Sequence, residues 1–138
     1  MNKEQIIDFL RANPVCFLAT MDGDHPRVRG MMLYMTGKGE IIFHTGKGKD
    51  LDKQLSENCA IELCAFDPKA NVQVRVSGEA EFLADEALSQ EIVNARPFLK
   101  EIVEKYGYEA MPLFRVKNPV ANVWTMADAM APKTYVNL

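Results

Sequence analysis

Turn-forming residues recur at close intervals along this chain, and each closes a short run rich in apolar and β-branched residues. Asp22-Gly23-Asp24, Thr36-Gly37-Lys38-Gly39 and Asp67-Pro68-Lys69 are the clearest of them. Strands joined so tightly pair antiparallel, because a parallel pair needs a crossover of about a dozen residues or more. The predicted strands run from Val15 to Thr20, Pro26 to Met35, Glu40 to Thr45, Cys59 to Phe66, Ala70 to Phe82, Leu113 to Lys117 and Val120 to Met126. The first three are expected to form a meander. In the longest, Val72, Val74 and Val76 face one way and Gln73, Arg75 and Ser77 the other, the pattern of a half-buried strand.

Helical periodicity is confined to three stretches. Asn2 to Asn13 places Ile6, Phe9 and Leu10 on one side, can open on an Asn2/Gln5 capping box, and stops before Pro14. Asp50 is a good N-cap for a short helix carrying Leu51 and Leu55. Asp85 to Tyr106 is helical with an interruption at Arg96-Pro97. The fold class expected is therefore mainly β with peripheral helices (α+β), an antiparallel barrel rather than a parallel sheet.

No linker-like stretch divides the 138 residues, so a single domain over 1–138 with one core is expected. Apolar runs such as Val15 to Ala19 are far shorter than the roughly 20 residues of a membrane span. No membrane partner is expected. The N-terminal Met-Asn-Lys-Glu-Gln has no secretory character, which predicts a cytoplasmic protein. A net charge of −3 gives no general attraction to nucleic acid. Cys16, Cys59 and Cys64 lack the paired spacings of a zinc site and are read as buried, reduced thiols; no metal is expected.

Against that acidic balance, one region is locally basic. Arg27 and Arg29 share a face of a predicted strand with His25 and Met31, and two guanidiniums there could clamp one phosphate. Spacing alone is also met by a solvated, charged outer face. The segment His44-Thr45-Gly46-Lys47-Gly48-Lys49-Asp50 runs from a strand end through two glycines into a helix N-terminus, where unpaired amides and the helix dipole favour an anion. It is neither a Walker A loop nor a dinucleotide fingerprint. With two histidines and no nucleophile elbow, any chemistry would come from a bound organic cofactor.

The ordered set Pro26-Arg27-Val28-Arg29, Phe43-His44-Thr45-Gly46, Lys49, Gln54-Leu55 and Gln73-Val74-Arg75-Val76-Ser77-Gly78 resembles the pyridoxamine 5'-phosphate oxidase-like family, whose members are split barrels that bind flavin mononucleotide (FMN). The resemblance implies that Arg29 and Lys49 bind the FMN phosphate, with Thr45 beside it. It implies that Gln73 reaches the flavin and that Trp124 approaches it from a partner subunit. Arg27 and His44 complete the implied cofactor contacts. A homodimer with the flavin at the subunit interface is also implied, with a small-molecule substrate and NAD(P)H as electron donor.

Vitamin-converting members end in an arginine- and histidine-bearing segment, whereas this chain ends Lys133-Thr134-Tyr135-Val136-Asn137-Leu138. Pyridoxal phosphate is therefore not the expected substrate. The shorter relatives it resembles include nitroimidazole-reducing proteins. An FMN-dependent oxidoreductase acting on a nitroaromatic or quinone is the leading expectation. A flavin carrier or sensor without turnover is one alternative, and a related barrel binding haem or deazaflavin is another.

Overall fold

The computed structural model describes all residues, 1–138. Helix α1 (Lys3–Ala12) opens on the expected capping box, with Asn2 and Gln5 each bonding the other's backbone N–H. It buries Ile6 and Leu10. Strands β1 (Val15–Asp22) and β2 (His25–Met32) form an antiparallel hairpin closed by Gly23, whose φ of 61° suits glycine. Then follow β3 (Tyr34–Met35), β4 (Ile41–His44), α2 (Asp50–Glu57), β5 (Ala60–Asp67) and β6 (Val72–Leu83). Helices α3 (Glu86–Ala95) and α4 (Lys100–Tyr106) flank a 3-10 turn at Pro97–Leu99, and a second such turn spans Tyr108–Ala110. Strands β7 (Leu113–Thr125) and β8 (Val136–Asn137) complete the chain.

All strand pairings are antiparallel, in the order β2-β1-β5-β6-β7-β4-β3, with β8 added on β7. Strands β2 and β3 lie at opposite ends of that order yet are separated in the chain by Leu33 alone. The sheet must therefore curl until its two ends meet. This is the split barrel, mainly antiparallel with helices around it, as expected.

Three local expectations are corrected. Pro26 to Met35 is not one strand, and the first three strands are not a meander: β2 pairs with β1, whereas β3 pairs with β4 and β4 with β7. The chain turns at buried Leu33, whose N–H is taken by Pro14 O at 2.8 Å and whose carbonyl accepts from Arg96. Second, the two strands expected between Leu113 and Met126 are one long strand, Leu113–Thr125. The Asn118-Pro119 break is a bend, with Asn118 at φ 51° and the ladder shifting register between Ser77 and Glu79. Gly78 sits at that bend because a Cβ there would fall 2.7 Å from Val116 Cγ1. Third, the tail contains a strand: β8 returns Val136 to the core and Leu138 N–H to Pro119 O.

The main core gathers Ile6, Leu10, Leu18, Leu33, Phe43, Leu63, Val74 and Val76 between α1, α2 and the concave sheet. Burying each such side chain stabilises by about 1.5–3 kcal/mol. A second cluster, with Ile42, Ile92, Leu99, Met111 and Leu113, seats α3 and the turns beside α4. The cysteines divide. Cys16 is buried and its thiol is pushed up to about 12 by burial, whereas Cys59 is exposed at the start of β5, contrary to expectation, and Cys64 is half-buried. No helix is long and apolar enough to cross a membrane.

Candidate functional site

One end of the barrel opens into a cleft of about 1350 Å³ between β2, the β4–α2 loop, α2 and α4. Its floor is built around Arg29. Alternation along β2 sends Arg27, Arg29 and Met31 to the inner side of the hairpin, opposite the outward row Pro26, Val28, Gly30 and Met32. Arg29 Nη1 donates to Thr20 Oγ1 at 2.7 Å and to Leu18 O at 3.3 Å, while Nη2 donates to Gln54 Oε1 at 2.6 Å. Thr20 in turn donates to Gln54 Oε1 at 2.5 Å. The guanidinium is thus held by neutral acceptors, with no ion pair to cancel its charge. Burial lowers its pKa and nearby Asp50 opposes that.

Around it stand Arg27, Lys47, Lys49 and Lys53, so the cleft carries five cations against the carboxylates of Asp22, Asp50 and Glu57. Arg27 contributes least, because its Nε is paired with Asp22 at 3.2 Å on an exposed rim. His25 leaves the row, half turned to Asp24 at 3.4 Å and outside the cleft lining. Gly46 lets the Lys49 stem fold across the loop: a Cβ there would meet Lys49 Cδ at 3.1 Å.

The expectation that the glycine loop cradles an anion with its amides is corrected. Thr45 and Lys47 N–H groups bond Pro112 O and Ala110 O, Gly48 bonds Asp52 Oδ2, and Lys49 bonds Gly46 O. Only Gly46 keeps a free amide in that loop. Asp50 is not the N-cap either, since Lys49 takes that position with extended backbone and no side-chain cap bond. The first-turn amides of α2 therefore remain open, as they do at any helix start without a capping side chain. Anion recognition here falls to side chains and to that helix end.

His44 lines the same cleft, and burial together with Arg96 lowers its pKa, favouring the neutral ring. The far wall is apolar, formed by Leu99, Ile102, Tyr106 and Met111. No group of three or more His, Cys, Asp or Glu side chains converges as a metal site would require.

Of the residues singled out from sequence, Arg27, Arg29, His44, Thr45 and Lys49 are brought together here. Gln73 and Trp124 are not. They pair with each other across β6 and β7, on the outer face of the sheet, beside the Arg75–Asn122 pair. Arg75 Nε is buried there without a partner. Sequence reasoning missed Thr20 and the role of Gln54. The available signal was Gln54 lying between Leu51 and Leu55 on the buried side of a short helix, where a polar residue needs a partner.

A family model described as pyridoxamine 5'-phosphate oxidase matches residues 3–124. Among solved structures, a NimC/NimA family protein from Clostridium acetobutylicum is 20% identical, with a TM-score of 0.79 over 98% of this chain and 91% of that one. Another C. acetobutylicum protein, described as related to general stress protein 26 and of the pyridoxinephosphate oxidase family, is 16% identical, with a TM-score of 0.71 over 98% and 93%. A haem-binding protein from Mycobacterium smegmatis is 14% identical, with a TM-score of 0.72 over 95% of this chain and 56% of that one. At these identities the likeness is one of fold. No curated protein matches in sequence.

Proposed function

The chain belongs to the pyridoxamine 5'-phosphate oxidase family, and from that premise we propose that it binds FMN and acts as an oxidoreductase on a small acceptor such as a nitroaromatic or quinone. The observation that carries the reading is Arg29 at the floor of the cleft, charged, anchored only by neutral acceptors and flanked by Lys47, Lys49 and Lys53. A guanidinium so placed suits a phosphate dianion, because its planar donors match phosphate oxygens. Lys49 at the α2 N-terminus and the hydroxyl of Thr45 complete the phosphate end.

The chemistry of the donor set fits a flavin nucleotide, which when bound supplies hydride and one-electron transfer. This chain's residues would hold its phosphate, give it an apolar wall from α4, and offer the neutral His44 ring as a hydrogen-bonding group without added charge. NADH or NADPH would be the electron donor.

A homodimer is part of the proposal. Val15, Phe17, Val28, Met32 and Phe66 are all exposed. Register and alternation place them on one outer face of β2, β1 and β5, continuous with Gln73 and Trp124. A contiguous apolar face of this kind marks an interaction site. A second copy seated on it would bring its own Gln73 and Trp124 toward the flavin.

Turnover decides between an oxidoreductase and a carrier. FMN-loaded protein should oxidise NADH or NADPH in the presence of a nitroaromatic or quinone acceptor. Tight FMN binding with no turnover across donors and acceptors would leave the carrier, and a Soret band in the purified protein would replace FMN by haem.

A further inference from the structure

Gln54 is 8% exposed and lines the cleft, yet only one end of its amide is used. Its Oε1 accepts from both Arg29 Nη2 and Thr20 Oγ1. Arginine has no acceptor, so the amide cannot be flipped without setting two N–H groups against each other. The Nε2 end therefore points away from Arg29 and Thr20, and its hydrogens bond no group of the chain. Nor is it sealed off, since the fully buried side-chain atom without a partner is Arg75 Nε.

Such a donor is costly unless water or a ligand takes it. Resting on the phosphate-site reading above, we infer that Gln54 is a direct ligand of the bound anion, donating from Nε2 to the same phosphate that Arg29 holds. A neutral amide is the group this position requires. It satisfies Arg29 without neutralising it and still presents donors to an anion. A carboxylate would satisfy Arg29 equally but would cancel its charge and turn only acceptors toward the phosphate.

Gln54 also ties the two charged phosphate ligands together. It lies on α2, whose N-terminus is Lys49, and binds Arg29 on β2, while Leu51 and Leu55 on either side anchor the helix to the core. One side chain thereby relates the direction of Arg29 to the position of Lys49.

The test uses the full chain with FMN as probe, comparing wild type with Gln54→Glu and Gln54→Leu. Gln54→Glu should fold with an unchanged or higher melting temperature, since Arg29 and Thr20 keep an acceptor, while FMN affinity falls about tenfold or more. Gln54→Leu should lose both affinity and stability. In wild type, the Gln54 side-chain amide resonance should move on FMN addition while those of distant Gln5 and Gln90 stay in place. If FMN binds wild type but that resonance is unmoved and Gln54→Glu binds equally well, the role of Gln54 is overturned and the FMN reading stands. If wild type does not bind FMN, both fall.

Discussion

Thr20 Oγ1 lies 2.7 Å from Arg29 Nη1 and 2.5 Å from Gln54 Oε1, so one buried hydroxyl joins the strand that carries the arginine to the helix that begins after Lys49. On the inner face of β1, Thr20 follows the buried, apolar Cys16 and Leu18 and precedes the cleft-lining Asp22. Thr20→Val keeps the shape and removes the hydroxyl. The variant should lose about 1–3 kcal/mol of stability, because Arg29 is left with an unmet donor. Urea denaturation measures this, and an unchanged midpoint would show that Thr20 is replaceable filling.

Arg96 closes the barrel at its corner. It donates to the carbonyls of Met32 and Leu33 and lies over the Tyr34 ring at 5.7 Å. These carbonyls fall where β2 ends and β3 begins, so Arg96 supplies the partner that strand pairing does not. Arg96→Ala should cost about 1–3 kcal/mol in chemical denaturation. Arg96→Lys should recover only part of that, since a point charge cannot replace a planar fork.

The outer apolar face gives a test of assembly. Val28 is 69% exposed, so Val28→Glu should leave the fold and its melting behaviour intact. In sedimentation, wild type should run as a dimer and the variant as a monomer. Cys64 stands on the same face opposite Phe17. Its labelling by a maleimide should be slow in wild type and faster in the variant, with Cys59 reacting in both. A monomeric wild type would remove the dimer.

His44 sets an acid-side dependence. Its folded pKa is lowered below the ordinary 6.5, so below that value the unfolded chain binds the proton first. Stability should therefore fall as pH drops from 6.5 toward the lowered folded value and level off beneath it. His44→Gln should flatten that slope. An identical pH profile for the variant would assign the acid loss to other groups.

Much of this molecule was legible in sequence because its signals are local. The Asn2/Gln5 cap, the Gly23 turn and the alternation of Val72, Val74 and Val76 each depend on neighbouring residues and appeared as expected. What failed depends on contacts distant in sequence. The strand break at Leu33 is held by Pro14 and Arg96, and the long β7 survives Pro119 because it bulges there, Asn118 and Pro119 together facing the single Gly78 of β6. At the cleft, the family resemblance singled out Arg29, Thr45 and Lys49, whereas charge and spacing on their own brought forward the Arg27/Arg29 row and the basic loop from His44 to Asp50. They could not show that Pro112, Ala110 and Asp52 occupy the loop amides, or that Thr20 and Gln54 converge on the arginine.

The phosphate grip is tested most directly by comparing FMN with riboflavin, which differ only in the phosphate, by fluorescence titration of wild type, Arg29→Ala and Lys49→Ala. Wild type should prefer FMN by about a hundredfold or more, the equivalent of two charge-assisted contacts, and each variant should lower that preference by about tenfold or more. Equal affinity of wild type for the two flavins, or a preference that survives both substitutions, would contradict the assignment.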